Sequence, residues 1–307
     1  MKATTSAALL IGGAMVSGLI GGGLLPEGID LSGVTLPALA LQTGLIVGAL
    51  PSVRETGAVR RGLTLVWLHH LCITLPLGAA AFVIGVHSPL GIGVFLMAAA
   101  PPAALVPTYA EAIDLDLRAT LAFVFISYLS GLVLTPALLL VVAGTTAGTD
   151  SIIVTLGVGL ILPSLAGRAL HRPIGRIPQN IRRATSAFLV FLITLGLGAD
   201  LVASISAGSV TPELIVVTLL VLTGRTLGTG SLAARLAPRE LAYEARLAGG
   251  FKNIALAAAV AAQLFGPTAA LPSLLGFPFE AGYFMFIARH RARSTQAGAK
   301  TDLVGRA

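Results

Sequence analysis

Long apolar runs, more than any motif, limit what this chain can become. A helix needs about 20 mostly apolar residues to cross the hydrocarbon of a bilayer, and such runs recur at 7–25, 31–50, 63–85, 89–109, 119–144, 152–171, 184–203, 212–234, 241–265 and 269–287. The connections between them are short and leave no room for a soluble domain. The expected fold is therefore an all-α polytopic membrane protein, one transmembrane unit over 1–307 with ten helices. The first run, preceded by Lys2, is long for a signal peptide and is followed by no clear small-x-small cleavage pattern, so it is read as a helix. Composition agrees: 11% of residues are charged, against roughly 25% in an ordinary globular chain, and the mean hydropathy is +0.92.

The net charge of +7 does not indicate nucleic acid, because aromatic residues are few and the basic residues sit in short clusters between apolar runs. Arg54, Arg60 and Arg61 follow the second run, Arg118 the fourth, Arg172, Arg176, Arg182 and Arg183 the sixth, Arg235 and Arg239 the eighth, and Arg289, Arg291, Arg293, Lys300 and Arg306 the tenth. The alternate connections, around Glu27 and Asp30, at His87, at 145–150, at 204–211 and at Gly266 and Pro267, carry no Lys or Arg. Positive loops stay in the cytoplasm, so both termini are expected there, in a plasma membrane of the bacterial inner-membrane kind. A single cysteine, Cys72, excludes an intrachain disulfide and reads as a small buried hydrophobe. No metal or cofactor is expected.

Two runs are interrupted. In the fourth, "AAAPPAALVPTYA" places Pro101, Pro102 and Pro107 where a continuous helix should run; each removes an N–H donor and pushes the preceding residue out of α geometry. In the ninth, Gly249 and Gly250 precede the polar pair Lys252 and Asn253. These are the fourth run of each half, and five helices per half make the halves opposite in orientation. An inverted repeat is expected, 1–144 and 145–307, with a broken helix in each half. Backbone freed at such breaks lines a midplane binding site; ordinary proline and glycine kinks are the alternative.

The stretch "GGFKNIALAAAVAA" resembles the ninth-helix motif of the bile acid:sodium symporter family, where Glu-x-Gly-x-Gln-Asn precedes a small, apolar half-helix. Likewise "APPAALVPTYA" and "LVLTPALLLVVAG" are similar to that family's Pro-Gly-Gly-Thr-Ala-Ser-Asn-x-x-Thr-Tyr break and its following Leu-Thr-Pro helix, and "LILPSLAGRALHR" and "LPSLLGFPFEAGYF" suit its sixth and tenth helices. The resemblance covers nearly the whole chain, with its specific motifs in the fourth-to-fifth and ninth-to-tenth regions. It implies a panel domain, a core domain with broken helices 4 and 9 crossing, and alternating-access transport of organic anions.

The departures fall on the sodium ligands. The family's sodium-binding Ser and Asn coincide with Ala104 and Leu105, its ninth-helix Glu with Ala248 and Gln with Lys252, and a third-helix Gln with the neighbourhood of Leu71; Asn253 alone keeps its identity. Methyl and isobutyl groups supply no oxygen cage, so sodium independence is expected, with the Lys252 ammonium standing where a cation would be bound. An intramembrane lysine costs roughly 2.5–3.5 kcal/mol on insertion scales and is a functional candidate by default; the alternative is a lysine that pins the crossing or snorkels. Arg225, roughly 15 Å from the basic end of its run at 1.5 Å per residue, has three readings: a pair with a buried acid, a grip on a substrate carboxylate, or a place in a wet vestibule. Glu280 either carries a proton or neutralises Lys252 or Arg225.

Other polar residues have plainer readings. Asp200 reads as a cap, one of His69 and His70 as a packing or proton-accepting histidine, Gln42 as a residue able to reach a cavity, and Glu111, Asp114 and Asp116 as a solvated acidic loop. Motifs of hydrolases, zinc proteases and phosphate-binding loops are absent, so an enzyme is not expected. The sequence reads as a secondary active or facilitative transporter of a small organic anion, with proton linkage, exchange and plain flux all open. Asn253, Lys252, Glu280, Pro102 and Ala103 are expected at the substrate, Lys252, Glu280 and Arg225 in charge or proton coupling, and Pro101, Pro102, Pro107, Gly249 and Gly250 at the crossing. A sodium-coupled symporter with a relocated site and a transport-inactive sensor or scaffold are the alternatives.

Overall fold

The computed structural model describes residues 31–49, 56–103, 105–147, 157–206 and 210–304 continuously, with parts of 10–25 and residues 150, 154, 155 and 208. Glu27, Asp30, Arg54, Ala104 and Arg306 lie outside the described residues, as do the side chains of Arg183, Asp200 and Lys300. Among the described residues all regular structure is helical: α1 Ser32–Ala49, α2 Thr56–Ile84, α3 Pro89–Ala99, α4 Val106–Ala112, α5 Leu117–Ala147, α6 Gly157–Ala169, α7 Gln179–Ser206, α8 Pro212–Leu236, α9 Ala242–Gly250, α10 Ile254–Phe265 and α11 Pro267–Val304, with short helical pieces at His171–Arg176 and Arg239–Leu241.

Six helical segments among the described residues are long and apolar enough to cross a membrane: Thr56–Ile84, Leu117–Leu140, Gln179–Ala203, Pro212–Leu236, Arg239–Phe265 and Pro267–Arg293. Helices α1, α3 and α6 are shorter and apolar. The radial distribution of side chains is inverted relative to a protein dissolved in water. Trp67, Phe82 and Val83 are 76%, 62% and 89% exposed, whereas Arg225 and Lys252 are 2% and 1% exposed. Lipid is the solvent that favours such a surface, and charged groups inside a bilayer turn inward. The chain is a polytopic integral membrane protein.

Local chemistry accounts for the helix ends. Ser88 caps α3, its Oγ accepting from the Gly91 N–H at 3.1 Å, and Asp116 caps α5 by accepting from the N–H groups of Arg118 and Ala119. The acidic segment is therefore more than a solvated loop: Asp116 also pairs with Arg61 at 2.6 Å, its own N–H donates to Glu244, and Glu111 accepts from Gln179 at 2.9 Å. Helices α2 and α8 each widen into a π turn, at His70–Thr74 and Gly224–Thr229, a departure that collects at functional positions.

Helix α1 packs on both α6 and α7, and α2–α5 with α8–α11 form the rest, joined to the first group through contacts of α10 and α11 with α7 and of α10 with α1. Small residues set these distances. A Cβ on Gly167 of α6 would overlap the Gly44 carbonyl of α1, and one on Gly93 of α3 would overlap the Ala269 carbonyl of α11. Both are close backbone approaches of the kind that glycine permits between membrane helices.

Candidate functional site at the helix crossing

Helix α3 stops at Ala99 because Pro101 and Pro102 can donate no hydrogen bond and Ala100 is driven into an extended conformation (φ −61°, ψ 145°). The chain runs non-helically over 100–103 and resumes as α4, with Pro107 in the first turn, where a missing N–H costs nothing. Pro107 thus starts the second half-helix and takes no part in the break. In the second interruption α9 continues through Gly249 and Gly250, and the break falls on Phe251–Asn253. The two glycines serve packing instead, since a Cβ on Gly250 would strike the Tyr283 ring and one on Gly249 would stand 2.6 Å from the Ala233 methyl. Extended Phe251, fully buried, is held by aromatic contacts with Tyr109 and Tyr283.

The two breaks touch. The Asn253 N–H donates to the Pro101 carbonyl at 2.8 Å. Helix ends leave carbonyls without intrahelical partners, and at the end of α3 those of Ala98, Ala99 and Ala100 are met by groups from elsewhere. Lys252 Nζ donates to the Ala98 and Ala100 carbonyls and to Thr74 Oγ1, each at 2.8 Å, and the Thr135 hydroxyl donates to the Ala99 carbonyl at 2.8 Å. A lysine ammonium has three N–H donors, so all three are spent on neutral oxygens. Lys252 was expected at the substrate; in this structure it has no donor left for one.

The end of α9 is met in the same way. The Arg225 guanidinium donates to the Gly250 carbonyl at 3.2 Å, the Thr229 hydroxyl to the Gly249 carbonyl at 2.6 Å, and His69 Nδ1 lies 2.6 Å from the Ala248 carbonyl. Arg225 also forms an ion pair with Glu280, whose Oε1 accepts the Lys252 backbone N–H at 3.1 Å as well. Each first half-helix thus ends on a cation, Lys252 for α3 and Arg225 for α9, which suits the negative end of the helix dipole. Of the partners the sequence left open, the structure joins Glu280 to Arg225, and among the described residues the Lys252 ammonium meets no carboxylate.

Asn253 opens the second half-helix. Its Oδ1 accepts from the Leu256 N–H at 3.1 Å and its Nδ2 donates to the Tyr128 hydroxyl at 2.9 Å. The start of α10 therefore faces a cavity of about 30 Å³ between the crossing and the α1–α7 layer, lined by Ala103, Tyr128, Lys252, Asn253 and Glu280 on one side and by Gln42, Thr43 and Val190 on the other. A second cavity of about 40 Å³ lies behind the first break, lined by His70, Thr74, Ser127, Ser130, Thr135 and the backbone at Pro101 and Pro102. Roughly 10–15 Å³ holds one water, so this conformation has room for water at the crossing and none for an organic molecule. Ala103, Lys252, Asn253 and Glu280 share the first cavity; Pro102 belongs to the second.

Thr74, Thr135, Tyr128 and Thr229 carry polar contacts at the crossing; Thr135 is the threonine of the quoted Leu-Thr-Pro segment, while the other three had no sequence signal. Chemically the centre holds two buried cations and one buried carboxylate, together with a half-helix N-terminus open to a cavity. Such an end attracts a negative group. No protein-family model matches the chain, and no curated protein matches it.

Proposed function

We propose that the protein is a secondary transporter of a small organic anion, built from ten helices as a 5+5 inverted repeat, in which the α1, α6 and α7 layer with 10–25 is the panel and the remainder is the core. The pairing of unusual features across the two halves supports the repeat. The third helices, α2 and α8, each carry a π turn, as the start of α6 at Gly157–Ile161 also does, the fourth are broken, and the fifth, α5 and α11, contain Pro136 and then Pro272 and Pro278. The two groups of helices meet at the first cavity, where rocking of one against the other would alternately uncover the start of α10.

The observation that carries the reading is the Lys252 ammonium held by three neutral oxygens where the two breaks meet. Two carbonyls and a hydroxyl are the donor set of a monovalent-cation site, and broken transporter helices use unwound carbonyls for that purpose. A covalently attached cation in that position keeps the crossing together and the centre positive without a dissolved ion, so transport runs independently of sodium. With Arg225 and Glu280 cancelling, Lys252 leaves one positive charge, which a singly charged anion at the α10 N-terminus neutralises.

Purified protein reconstituted into liposomes tests this. Saturable uptake of a short-chain carboxylate, equal in sodium and choline media, supports it. A strict sodium requirement, or acid binding in detergent without any flux in liposomes, contradicts it.

A further inference from the structure

The wall of the first cavity that faces the crossing carries two donors. In the first turn of α10 the Ile254 N–H goes to the Lys252 carbonyl and the Leu256 N–H to Asn253 Oδ1, which leaves the Ala255 N–H without a partner among the described residues, and the Tyr128 hydroxyl, accepting from Asn253, keeps its own proton to donate. The opposite wall differs. Gln42 of α1 is 7% exposed, lines the cavity, and its Oε1 has no hydrogen-bond partner among the described residues. Its neighbours in that wall, Leu39, Ile46 and Val190, are apolar. A buried amide carbonyl without a partner is a destabilising feature that native structures keep only where something else satisfies it. It lines the same cavity as the start of α10.

We infer that Gln42 sets substrate specificity by accepting a hydrogen bond from the transported acid, and that the substrates are short monocarboxylates bearing a hydroxyl or N–H on the chain. This rests on the organic-anion reading above. Once the two groups of helices have moved apart and widened the cavity, the carboxylate lies against the Ala255 N–H and Tyr128, the carbon skeleton runs between Leu39 and Val190, and the donor reaches the Gln42 carbonyl. A plain fatty acid of the same length leaves that carbonyl unpaired. A site with a buried polar group discriminates strongly against a ligand that lacks the complementary group, so the difference in affinity is at least about tenfold.

The test is a ligand-induced thermal-shift titration of the detergent-purified protein with matched pairs, propanoate against lactate and butanoate against its 2-, 3- and 4-hydroxy derivatives, on wild type and Gln42→Met. Wild type should bind one hydroxylated member at least about tenfold more tightly than its plain partner. In Gln42→Met that ratio should fall towards one while the plain acid binds as before. A ratio near one in wild type, or a preference that survives intact in Gln42→Met, overturns the inference while leaving anion binding standing. If Gln42→Met does not fold, the wild-type hydroxyl-position series decides alone: preference for a single position supports the inference and equal binding of all positions overturns it. Failure of every acid to bind removes the organic-anion reading and this inference together.

Discussion

Lys252 Nζ stands 2.8 Å from the carbonyl oxygen of Ala100, a residue 152 positions earlier in the chain, and that contact fastens one interrupted helix to the other. The same ammonium reaches Ala98, and the backbone of the next residue reaches Pro101. Four successive carbonyls, from Ala98 to Pro101, are satisfied in this way by two residues of the second break and by Thr135. In a bilayer no bulk water stands ready to do that work.

Replacing the ammonium should therefore loosen the whole crossing. Lys252→Met leaves the Ala98 and Ala100 carbonyls without donors, while relieving the burial of a charge. Hydrogen bonds to a charged group are worth about 1.5–3 kcal/mol each and do not add, so a net destabilisation of about 2–4 kcal/mol is expected. Reversible unfolding in mixed micelles checks it; an unchanged midpoint would count against the capping role.

Arg225 and Glu280 should behave as a unit. Removing one partner strands a buried charge, and breaking such a pair costs roughly 3–5 kcal/mol. Glu280→Leu alone is expected to be more destabilising than Arg225→Met with Glu280→Leu, and the same unfolding assay gives the coupling from the double-mutant cycle. Additive effects would mean that the two side chains do not interact as the structure has them.

The α1–α6 contact depends on glycine. Gly167→Val sets a branched side chain against the Gly44 backbone, and overpacking of this kind costs typically 1–3 kcal/mol. A lower thermal midpoint in detergent is expected, with Gly175→Val, which meets nothing within 4 Å, as the neutral control.

The basic clusters predict the membrane sidedness. In a Cys72→Ala background, Gly57→Cys and Gly175→Cys should label only from the cytoplasm, and His87→Cys and Glu213→Cys only from outside. All four positions are exposed. Labelling of Gly57→Cys and His87→Cys from the same side would rule out the single crossing of α2 between them.

Helical class, membrane residence and the positions of the unusual segments were legible in the sequence because their signals are local: the length of apolar runs, prolines that cannot donate, a lysine among alanines. What the breaks do was not legible. Nothing near Lys252 announces that its partners are Thr74, Ala98 and Ala100, and Glu280 offered Lys252 and Arg225 equal grounds for pairing until packing chose Arg225. Gly249 and Gly250 misled in a specific way. Glycine marks both a weak point in a helix and a close approach between helices, and here Ala233 and Tyr283 make it the latter, with the break displaced to Phe251. Hydroxyls such as Thr74 and Thr229 carry no spacing signature, since their partners lie on other helices.

The central claim is that the Lys252 ammonium does the work of a bound cation at the crossing. Initial uptake of a short-chain carboxylate into proteoliposomes, in sodium and in choline media, for wild type and Lys252→Gln, measures it most directly. The account predicts equal wild-type rates in the two media and a loss of at least about tenfold in Lys252→Gln. Wild-type uptake that requires sodium, or uptake by Lys252→Gln at the wild-type rate in choline, would contradict it.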